Sequence, residues 1–265
     1  MSQIQWYPGH MNKAKNQLSA SLRLIDVVLE VRDARLPLSS ANPMLDELLA
    51  GKPHVILLNK ADLADPQLTA AWLKKLGPNA LALDTQHNTN VGQLVKKIKN
   101  ASANLDKKLV RVAVVGIPNC GKSTVINKLS GKKRTVTGNK PGVTQQLLWL
   151  KTSFGIQILD TPGILWPKFD DQQVGLKLAA CGAIKDTVFA SDDVALFVLD
   201  FMRQHYPKQL AQFARVDFDE DTSSPDLLLS MTAKYGMRDD YERFSLFMLQ
   251  QLRKGKLGRI TLDRP

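Results

Sequence analysis

Residues 110–131 of the chain read VRVAVVGIPNCGKSTVINKLSG and contain three patterns in succession. The first is an apolar run of β-branched residues, which is typical of a buried strand. The stretch GIPNCGKS at 116–123 follows and matches the phosphate-loop pattern GxxxxGK[ST]. The last part has the pattern of a helix. A chance glycine turn is the alternative, but the flanking strand and helix favour a phosphate-binding loop in an α/β domain.

The predicted phosphate loop supplies the groups that hold nucleotide phosphates. Its backbone N–H groups and the N-terminus of the following helix can surround the phosphate oxygens. Lys122 is placed to reach the β- and γ-phosphates, and the Ser123 hydroxyl is placed to ligate Mg²⁺. The other nucleotide contacts predicted in this loop are Asn119, Cys120, Gly121 and Thr124.

Short apolar runs alternate with helical patterns on both sides of this loop. DVVLEV, HVILLN and ALALD precede it as predicted strands, and QQLLWLKTS and GIQILD follow it. NPMLDELLA, PQLTAAWLKKLG and NVGQLVKKIKN are predicted helices between the early strands. This alternation indicates a mostly parallel sheet covered by helices on both faces. The polar stretch at 100–108 is interpreted as a linker or a surface crossing.

Beyond residue 165 the pattern changes to helices without further strands. Ser191 is predicted to cap one helix, and Ser224 is predicted to cap another that has Pro225 at its first position. We therefore expect a nucleotide-binding domain at 1–165, with an N-terminal extension at 1–22, and an α-helical domain at 166–265.

The tetrapeptide DTPG at 160–163 comes 44 residues after Gly116 and ends a predicted strand. We expect the Asp160 carboxylate to face the metal and the Gly163 amide to approach the γ-phosphate. Between them, Thr144 of the segment PGVT is predicted to add a second hydroxyl to the Mg²⁺ in the triphosphate state. It would lose that contact after hydrolysis, so residues 132–144 are predicted to form the first switch.

The tetrapeptide NKAD at 59–62 follows the strand HVILL and is predicted to contact the base through Asn59, Lys60 and Asp62. A carboxylate accepts from both the ring N–H and the exocyclic amine of guanine, whereas adenine offers no such pair of donors. GTP is therefore favoured over ATP, although an ordinary exposed loop remains an alternative. Asp84 and Thr85, after the next strand, are predicted to flank the base from the other side.

The order of these motifs is unusual, because NKAD precedes the phosphate loop by 57 residues. A domain with this order is circularly permuted. Seven segments carry a resemblance to a known family: WYPGHMNKA, DARLPLSSANP, LLNKADLAD, GIPNCGKST, PGVT, DTPGILWPKF and VGLKLAACGAIKD. Through them the chain resembles the circularly permuted GTPases from residue 6 to about 186. It departs from them at Cys120, where a small aliphatic residue is common, and at Asp84-Thr85, where Ser-Ala is usual.

The resemblance implies a Ras-like fold that hydrolyses GTP to GDP with Mg²⁺. It also implies a role in assembly of the large ribosomal subunit, with the precursor particle and its rRNA as partners and ribosomal proteins as further possible partners. Asn119 resembles an asparagine that helps hold K⁺ near the phosphates in related GTPases; a plain structural role for it is the alternative.

Catalysis needs a group that orients water, and Ras-like sites place a glutamine after the DxxG glycine. Here that position is Ile164, whose side chain cannot do so. The resemblance implicates His10, in a predicted tight Pro-Gly turn, and a surface histidine is the alternative. We expect slow turnover that ribosomal particles stimulate. The segment from Ile164 to Trp166 leads into the helical module, so nucleotide state is expected to move that module unless the segment is a rigid linker.

Charge and composition restrict the class of protein. The net charge is +11, of which residues 101–165 carry +8, which favours a polyanion as a second partner. No apolar run is long enough for a membrane helix, no secretory signal is visible, and two cysteines favour a reducing cytoplasm. We expect no membrane contact and no oligomer. A GTP-regulated module that recruits proteins without touching RNA is the rival function.

Overall fold

A computed structural model of the protein describes residues 4–87, 91–105, 107–131 and 148–265. The predicted first switch, with Thr144 and the basic residues at 132–134, lies outside the described residues.

The centre of the protein is a six-stranded sheet with the strand order β3-β2-β1-β4-β6-β5. The strands are β1 (Val27–Asp33), β2 (His54–Asn59), β3 (Ala80–Leu83), β4 (Val110–Val115), β5 (Leu148–Lys151) and β6 (Ile156–Asp160). All neighbouring strands are parallel except β5 and β6, which are antiparallel. The predicted mostly parallel sheet is therefore confirmed.

This strand order brings the sequence motifs to one edge of the sheet. β1 is buried along its whole length and lies between β2 and β4, and β6 lies beside β4. Because these four strands are parallel, the segments that follow them leave the sheet at the same end. NKAD, the phosphate loop and DTPG are three of those segments, so the fold places them side by side.

The chain forms helices around the sheet and, after β6, a helical region. The helices are α1 (Gly9–Ser21), α2 (Pro43–Leu48), α3 (Pro66–Leu76), α4 (Gly92–Ala101), α5 (Lys122–Ser130), α6 (Gln172–Ala180), α7 (Ser191–His205), α8 (Pro207–Ala214), α9 (Ser224–Lys234) and α10 (Tyr241–Arg253). The sequence analysis missed α1 and α8. Among the described residues, no helix is both long and apolar enough to cross a membrane.

Three local predictions need correction or refinement. The stretch 100–108 holds the end of α4 and a short 3-10 turn and leads directly into the central strand β4, so it is a surface crossing within the sheet domain. Ala190 is the N-cap of α7, and the Ser191 hydroxyl donates to the carbonyl of Glu242 instead. The N-cap of α9 is Ser223, whose hydroxyl accepts from the Asp226 N–H, because two adjacent serines offer the same cap chemistry.

The helical region and the sheet share one continuous apolar core. The segment after DTPG runs through this core, with Ile164, Leu165, Trp166 and Phe169 buried. Trp166 and Phe169 pack edge to face with ring centroids 5.0 Å apart. The connection between sheet and helices is therefore a packed element of the core and not an exposed linker.

Residues 259–263, which we call the strap, follow α10 and return to the sheet domain. The Leu262 N–H donates to the carbonyl of Arg35 at 2.9 Å. The Trp72 indole N–H, on α3, donates to the carbonyl of Asp263 at 3.3 Å. The strap therefore contacts both the segment that follows β1 and helix α3, which follows NKAD.

Candidate nucleotide-binding site

The phosphate loop connects β4 to α5 and passes its neighbours at distances that only glycine permits. Gly116 has φ +145° and Gly121 has φ +97°. A Cβ atom at Gly116 would lie 2.2 Å from the Val31 carbonyl oxygen, and one at Gly121 would lie 2.1 Å from Nδ2 of Asn59. Glycine at these positions therefore lets the loop lie against both β1 and Asn59 of NKAD.

Lys122, the first residue of α5, folds back across the loop. Its buried ammonium group donates to the carbonyls of Gly116 at 3.1 Å and Ile117 at 2.7 Å. Cys120 is also buried, and its Sγ donates to Ile117 at 3.1 Å. Burial raises the pKa of the Cys120 thiol, so this side chain packs the loop as a neutral group.

Asn59 joins three segments of the site. Its Nδ2 donates to the Cys120 carbonyl at 2.9 Å, and its Oδ1 accepts from the Thr85 hydroxyl at 2.7 Å. Beside it, the ammonium group of Lys60 donates to the Asp33 carboxylate at 2.9 Å and to the carbonyl of Asn119. The first two residues of NKAD therefore hold the phosphate loop.

The side chains of Asp62 and Asp84 lie next to each other. His87 lies between them, with Nδ1 2.8 Å from Asp84 Oδ2 and 3.9 Å from Asp62 Oδ2. Burial acts to raise the pKa of Asp84, but hydrogen bonds from His87 outweigh it and lower the pKa overall. Sequence reasoning treated His87 as unremarkable; the i, i+3 spacing of Asp84 and His87 in one turn is the signal that points to their contact.

DTPG lies against the phosphate loop. A Cβ atom at Gly163 would be 2.6 Å from Cα of Pro118, and the Ile164 N–H donates to the Gly116 carbonyl at 3.2 Å. Asp160 ends β6 as a buried carboxylate, and its Oδ1 has no hydrogen-bond partner within the part of the chain that the structure describes. Burial raises the pKa of Asp160 to about 6, with Lys122 acting in the opposite direction.

These groups fit a magnesium ion. A buried carboxylate oxygen without a partner is costly unless a cation or a donor satisfies it. Asp160 supplies such an oxygen, and Ser123 lies in the first turn of α5 beside Lys122. Hard oxygen donors of this kind are those that Mg²⁺ prefers.

The segment DARLPLSSANP contains a buried ion pair that sequence reasoning did not assign. The carboxylate of Asp33 binds the guanidinium of Arg35 at 2.7 Å as well as Lys60. Burial opposes the charged form, but Arg35 and Lys60 outweigh it and hold the pKa of Asp33 well below its usual range. Further along, Nδ2 of Asn42 donates to the Ile164 carbonyl at 2.8 Å, so this segment touches both NKAD and the chain after DTPG.

We expect Arg35→Ala to lower the free energy of unfolding by about 3–5 kcal/mol, because it leaves the Asp33 carboxylate buried and without its main partner. Urea unfolding followed by circular dichroism measures this loss. Arg238→Ala, which removes an exposed arginine, is the control and should change stability by less than about 0.5 kcal/mol. Equal stability of the Arg35 variant and the wild type would contradict the role of the pair.

His10 lies in the first turn of α1 and not in a Pro-Gly turn, so that prediction was wrong. Pro8, with φ −68° and ψ 154°, is the N-cap, and the residues after it favour a helix. His10 is exposed, with its ring 6.5 Å from that of Trp6. Its neighbour Met11 is buried, and Met11 Sδ accepts from the Leu165 N–H at 3.5 Å. His10 therefore lies on a helix, α1, that packs against the segment following DTPG.

Asn119 links the phosphate loop to the helical region. Its Nδ2 donates to the Gly182 carbonyl at 2.7 Å, and its backbone has φ +58°. Its role as a K⁺ ligand stays a prediction.

Comparisons with known proteins identify relatives of this chain. A family model described as "50S ribosome-binding GTPase" matches residues 111–230. The chain is 43% identical to ribosome biogenesis GTPase A of Priestia megaterium, over 99% of this chain and 97% of that protein. It is 44% identical to the protein of the same name from Bacillus cereus, over 99% of this chain and 94% of that protein.

A solved structure supports the same assignment. The structure of GNP-bound YlqF from T. maritima superposes with a TM-score of 0.68 and is 29% identical. The alignment covers 96% of this chain and 98% of that one. With its permuted order of motifs and its helical region, the chain is a circularly permuted GTPase, and it belongs to the ribosome biogenesis GTPase A family.

Proposed function

We propose that this GTPase is a nucleotide-dependent switch in assembly of the large ribosomal subunit. In the GTP state it binds the precursor particle and its rRNA in the cytoplasm, and it leaves after hydrolysis. The observation that carries the proposal is the packed segment after DTPG, which joins the phosphate loop to the helical region. The names of the relatives, ribosome biogenesis GTPase A, supply the assembly context.

Guanine is read by Asp62, whose carboxylate accepts from the ring N–H and the exocyclic amine. Asn59 and Lys60 hold the base-reading segment against the phosphate loop through the contacts described above. Asp84 and Thr85 flank the base from the neighbouring strand. The remaining proposed contacts are to the phosphates and comprise Asn119, Cys120, Gly121, Lys122, Ser123, Thr124, Thr144 and Gly163.

The proposed ligands of Mg²⁺ are Ser123, Thr144 and Asp160. A bound Mg²⁺ neutralises phosphate charge and orients the triphosphate. Asp160 supports this role because its Oδ1 is buried and has no hydrogen-bond partner among the described residues. Asn119 is the proposed K⁺ ligand.

Hydrolysis needs a polar group that the described site lacks next to Gly163. Ile164 is 1% exposed and apolar, so it cannot orient a water molecule. We assign this role to His10, whose neighbour on α1, Met11, accepts a hydrogen bond from the Leu165 N–H. A displacement of the segment after DTPG would displace α1 as well. A ribosomal partner that fixes this segment would bring the His10 imidazole to the attacking water. We therefore expect slow GTP hydrolysis when no partner is bound.

We assign GTP binding to residues 1–165, with the extension at 1–22, and the sensing of the particle to the helices at 166–265. One hydrogen bond described above crosses between them, from the Asn119 side chain in the phosphate loop to the Gly182 carbonyl. The Asn42 side chain holds the Ile164 carbonyl, where the chain leaves the GTP-binding part for the helices. A change at the phosphate loop or at Ile164 therefore alters hydrogen bonds at the junction of the two domains.

The proposed rRNA contact rests on the basic residues near the nucleotide. Among the basic residues at 107–111, Lys107 is paired with Asp26 at 2.6 Å, and the Arg111 guanidinium lies 6.0 Å from the Trp149 ring centroid. These two basic side chains therefore already interact with groups of the protein itself. The cluster Lys132, Lys133 and Arg134 forms the start of the predicted first switch and carries the proposal.

Reversing Lys132, Lys133 and Arg134 to glutamate is expected to abolish the extra affinity for large-subunit particles that a GTP analogue gives. Each phosphate neutralised by a basic side chain releases counterions, so wild-type affinity should fall steeply with salt and the variant's should not. Particle binding at two salt concentrations measures this. GTP affinity of the free protein, which should stay within about twofold, is the control. An unchanged salt dependence would contradict the rRNA contact.

The experiment that tests the function measures GTP hydrolysis with and without purified large-subunit precursor particles. We expect the particles to stimulate turnover, with small-subunit particles as the control that does not. If neither particle changes the rate or binds, the rival function, recruitment of another protein without RNA contact, is favoured.

A further inference from the structure

The strap forms hydrogen bonds with the backbone on the C-terminal side of Asp62. The Ile260 N–H donates to the Leu63 carbonyl at 3.1 Å, one residue after Asp62. The hydroxyl of Thr261 accepts from the Asp65 N–H, also at 3.1 Å. The segment that carries the base-reading carboxylate is thus paired with residues almost 200 positions away in the chain.

Arg259 makes the most direct of these contacts. Its Nη2 donates to the Ala61 carbonyl at 2.9 Å, and its Nε donates to the Ala64 carbonyl at 2.8 Å. These two carbonyls bracket Asp62 and Leu63. The planar guanidinium has the fork geometry that bridges two acceptors, which a lysine ammonium cannot reproduce.

The far end of the strap is anchored in the sheet domain. The buried carboxylate of Asp263 accepts from the N–H groups of Leu38 and Ser39 and from the Ser39 hydroxyl, at 2.8, 2.6 and 2.6 Å. It also pairs with Lys177 of α6 at 3.1 Å. An anchored strap has little freedom, so the position of Arg259 determines the position of the 61–64 carbonyls.

We propose that the strap, through Arg259, is a positioning element for guanine selectivity. Arg259 does not touch the nucleotide; it holds the turn that aims Asp62 at the base. The inference rests on the proposed base-reading role of Asp62 and deepens it, because it makes the end of the helical region part of guanine recognition. A ligand that shifts this region would change guanine-nucleotide affinity, and the nucleotide would change that ligand's affinity by the same factor.

The exposed position of Arg259 makes the proposal testable in the full chain. Removing its side chain opens no cavity, so Arg259→Ala should fold with an unchanged Tm. Arg259→Lys tests the fork geometry, and Arg238→Ala, in the exposed loop between α9 and α10, is the matched control. Affinities for GTP and inosine triphosphate, which lacks the exocyclic amine, are measured by competition with a fluorescent GDP, and KM and kcat are measured for GTP.

We expect Arg259→Ala to weaken GTP binding by about fivefold or more and to narrow the preference for GTP over inosine triphosphate. GTP loses more than inosine triphosphate because it makes one more hydrogen bond with Asp62. KM should rise while kcat at saturating GTP stays within about twofold, since the phosphate end is not affected. Arg259→Lys should behave like the alanine variant, and Arg238→Ala like the wild type.

Three outcomes overturn the proposal, and the Asp62→Asn variant and the Tm of Arg259→Ala distinguish them. If Asp62→Asn loses GTP affinity while Arg259→Ala keeps the wild-type preference, the strap has no role in selectivity and the base assignment stands. If Asp62→Asn itself keeps wild-type GTP affinity, the base assignment fails and the strap proposal fails with it. If Arg259→Ala has a reduced Tm and an unchanged preference for GTP over inosine triphosphate, Arg259 contributes to stability alone.

Discussion

His10→Ala is expected to lower particle-stimulated GTP hydrolysis by about 10²–10⁴-fold, the range for a positioned acid–base group. GTP affinity should be nearly unchanged, because His10 lies on α1 and not in the phosphate loop or NKAD. The stimulated rate at saturating GTP and particle concentration is the measurement. The unstimulated rate should change much less, because the free protein exposes the imidazole instead of holding it at the phosphates.

Asn12→Ala is the matched control for the His10 variant, since Asn12 is an exposed polar residue on the same helix. It should retain the full stimulated rate. Stimulated rates of the His10 variant within about a factor of two of the wild type would make this histidine structural. The polar group that orients water would then have to come from the partner.

Asp62→Asn is expected to weaken GTP binding by about 10²-fold or more and to improve binding of xanthosine triphosphate. The wild-type carboxylate accepts two hydrogen bonds from guanine, and hydrogen bonds to a charged group contribute about 1.5–3 kcal/mol each. An amide presents a donor that faces the exocyclic amine of guanine unfavourably. The same donor matches the carbonyl that xanthine carries there. Equilibrium binding of GTP and of xanthosine triphosphate measures the two changes in affinity.

Asp217→Asn removes an exposed carboxylate between α8 and α9 and serves as the control for the Asp62 variant. It should leave both affinities at the wild-type level. Equal GTP affinity of Asp62→Asn and wild type would remove guanine reading from NKAD, whatever the behaviour of xanthosine triphosphate.

The convergence of NKAD, the phosphate loop and DTPG could be predicted from the sequence, because each motif directly follows an apolar strand. Parallel strands release their following segments at one edge, so the position of each motif in the chain determined its position in space. The same reasoning placed Asp84 and Thr85, which follow the neighbouring strand, at this end of the sheet. The burial of Ile164, whose apolar side chain was predicted to be unable to orient water, is a finding of the structure.

Contacts between distant segments could not be predicted in this way. Nothing local marks Arg259 or Asp263 as partners of residues near 62 and 39, because hydrogen bonds to backbone groups leave no sequence pattern. Helix α1 is different. Its buried residues Met11, Ala14 and Leu18 recur at helical spacing, so the signal was present, but Pro8 and Gly9 at its start were interpreted as a turn.

In the proposed switch, GTP and not GDP holds this protein on the precursor of the large ribosomal subunit. The decisive measurement is co-sedimentation of the wild-type protein with purified precursor particles, in a non-hydrolysable GTP analogue and in GDP, at low and moderate salt. We predict that much more protein pellets with the analogue than with GDP and that the difference shrinks as salt rises. Pelleting that is indifferent to both nucleotide and salt would contradict the switch and favour the protein-recruiting module.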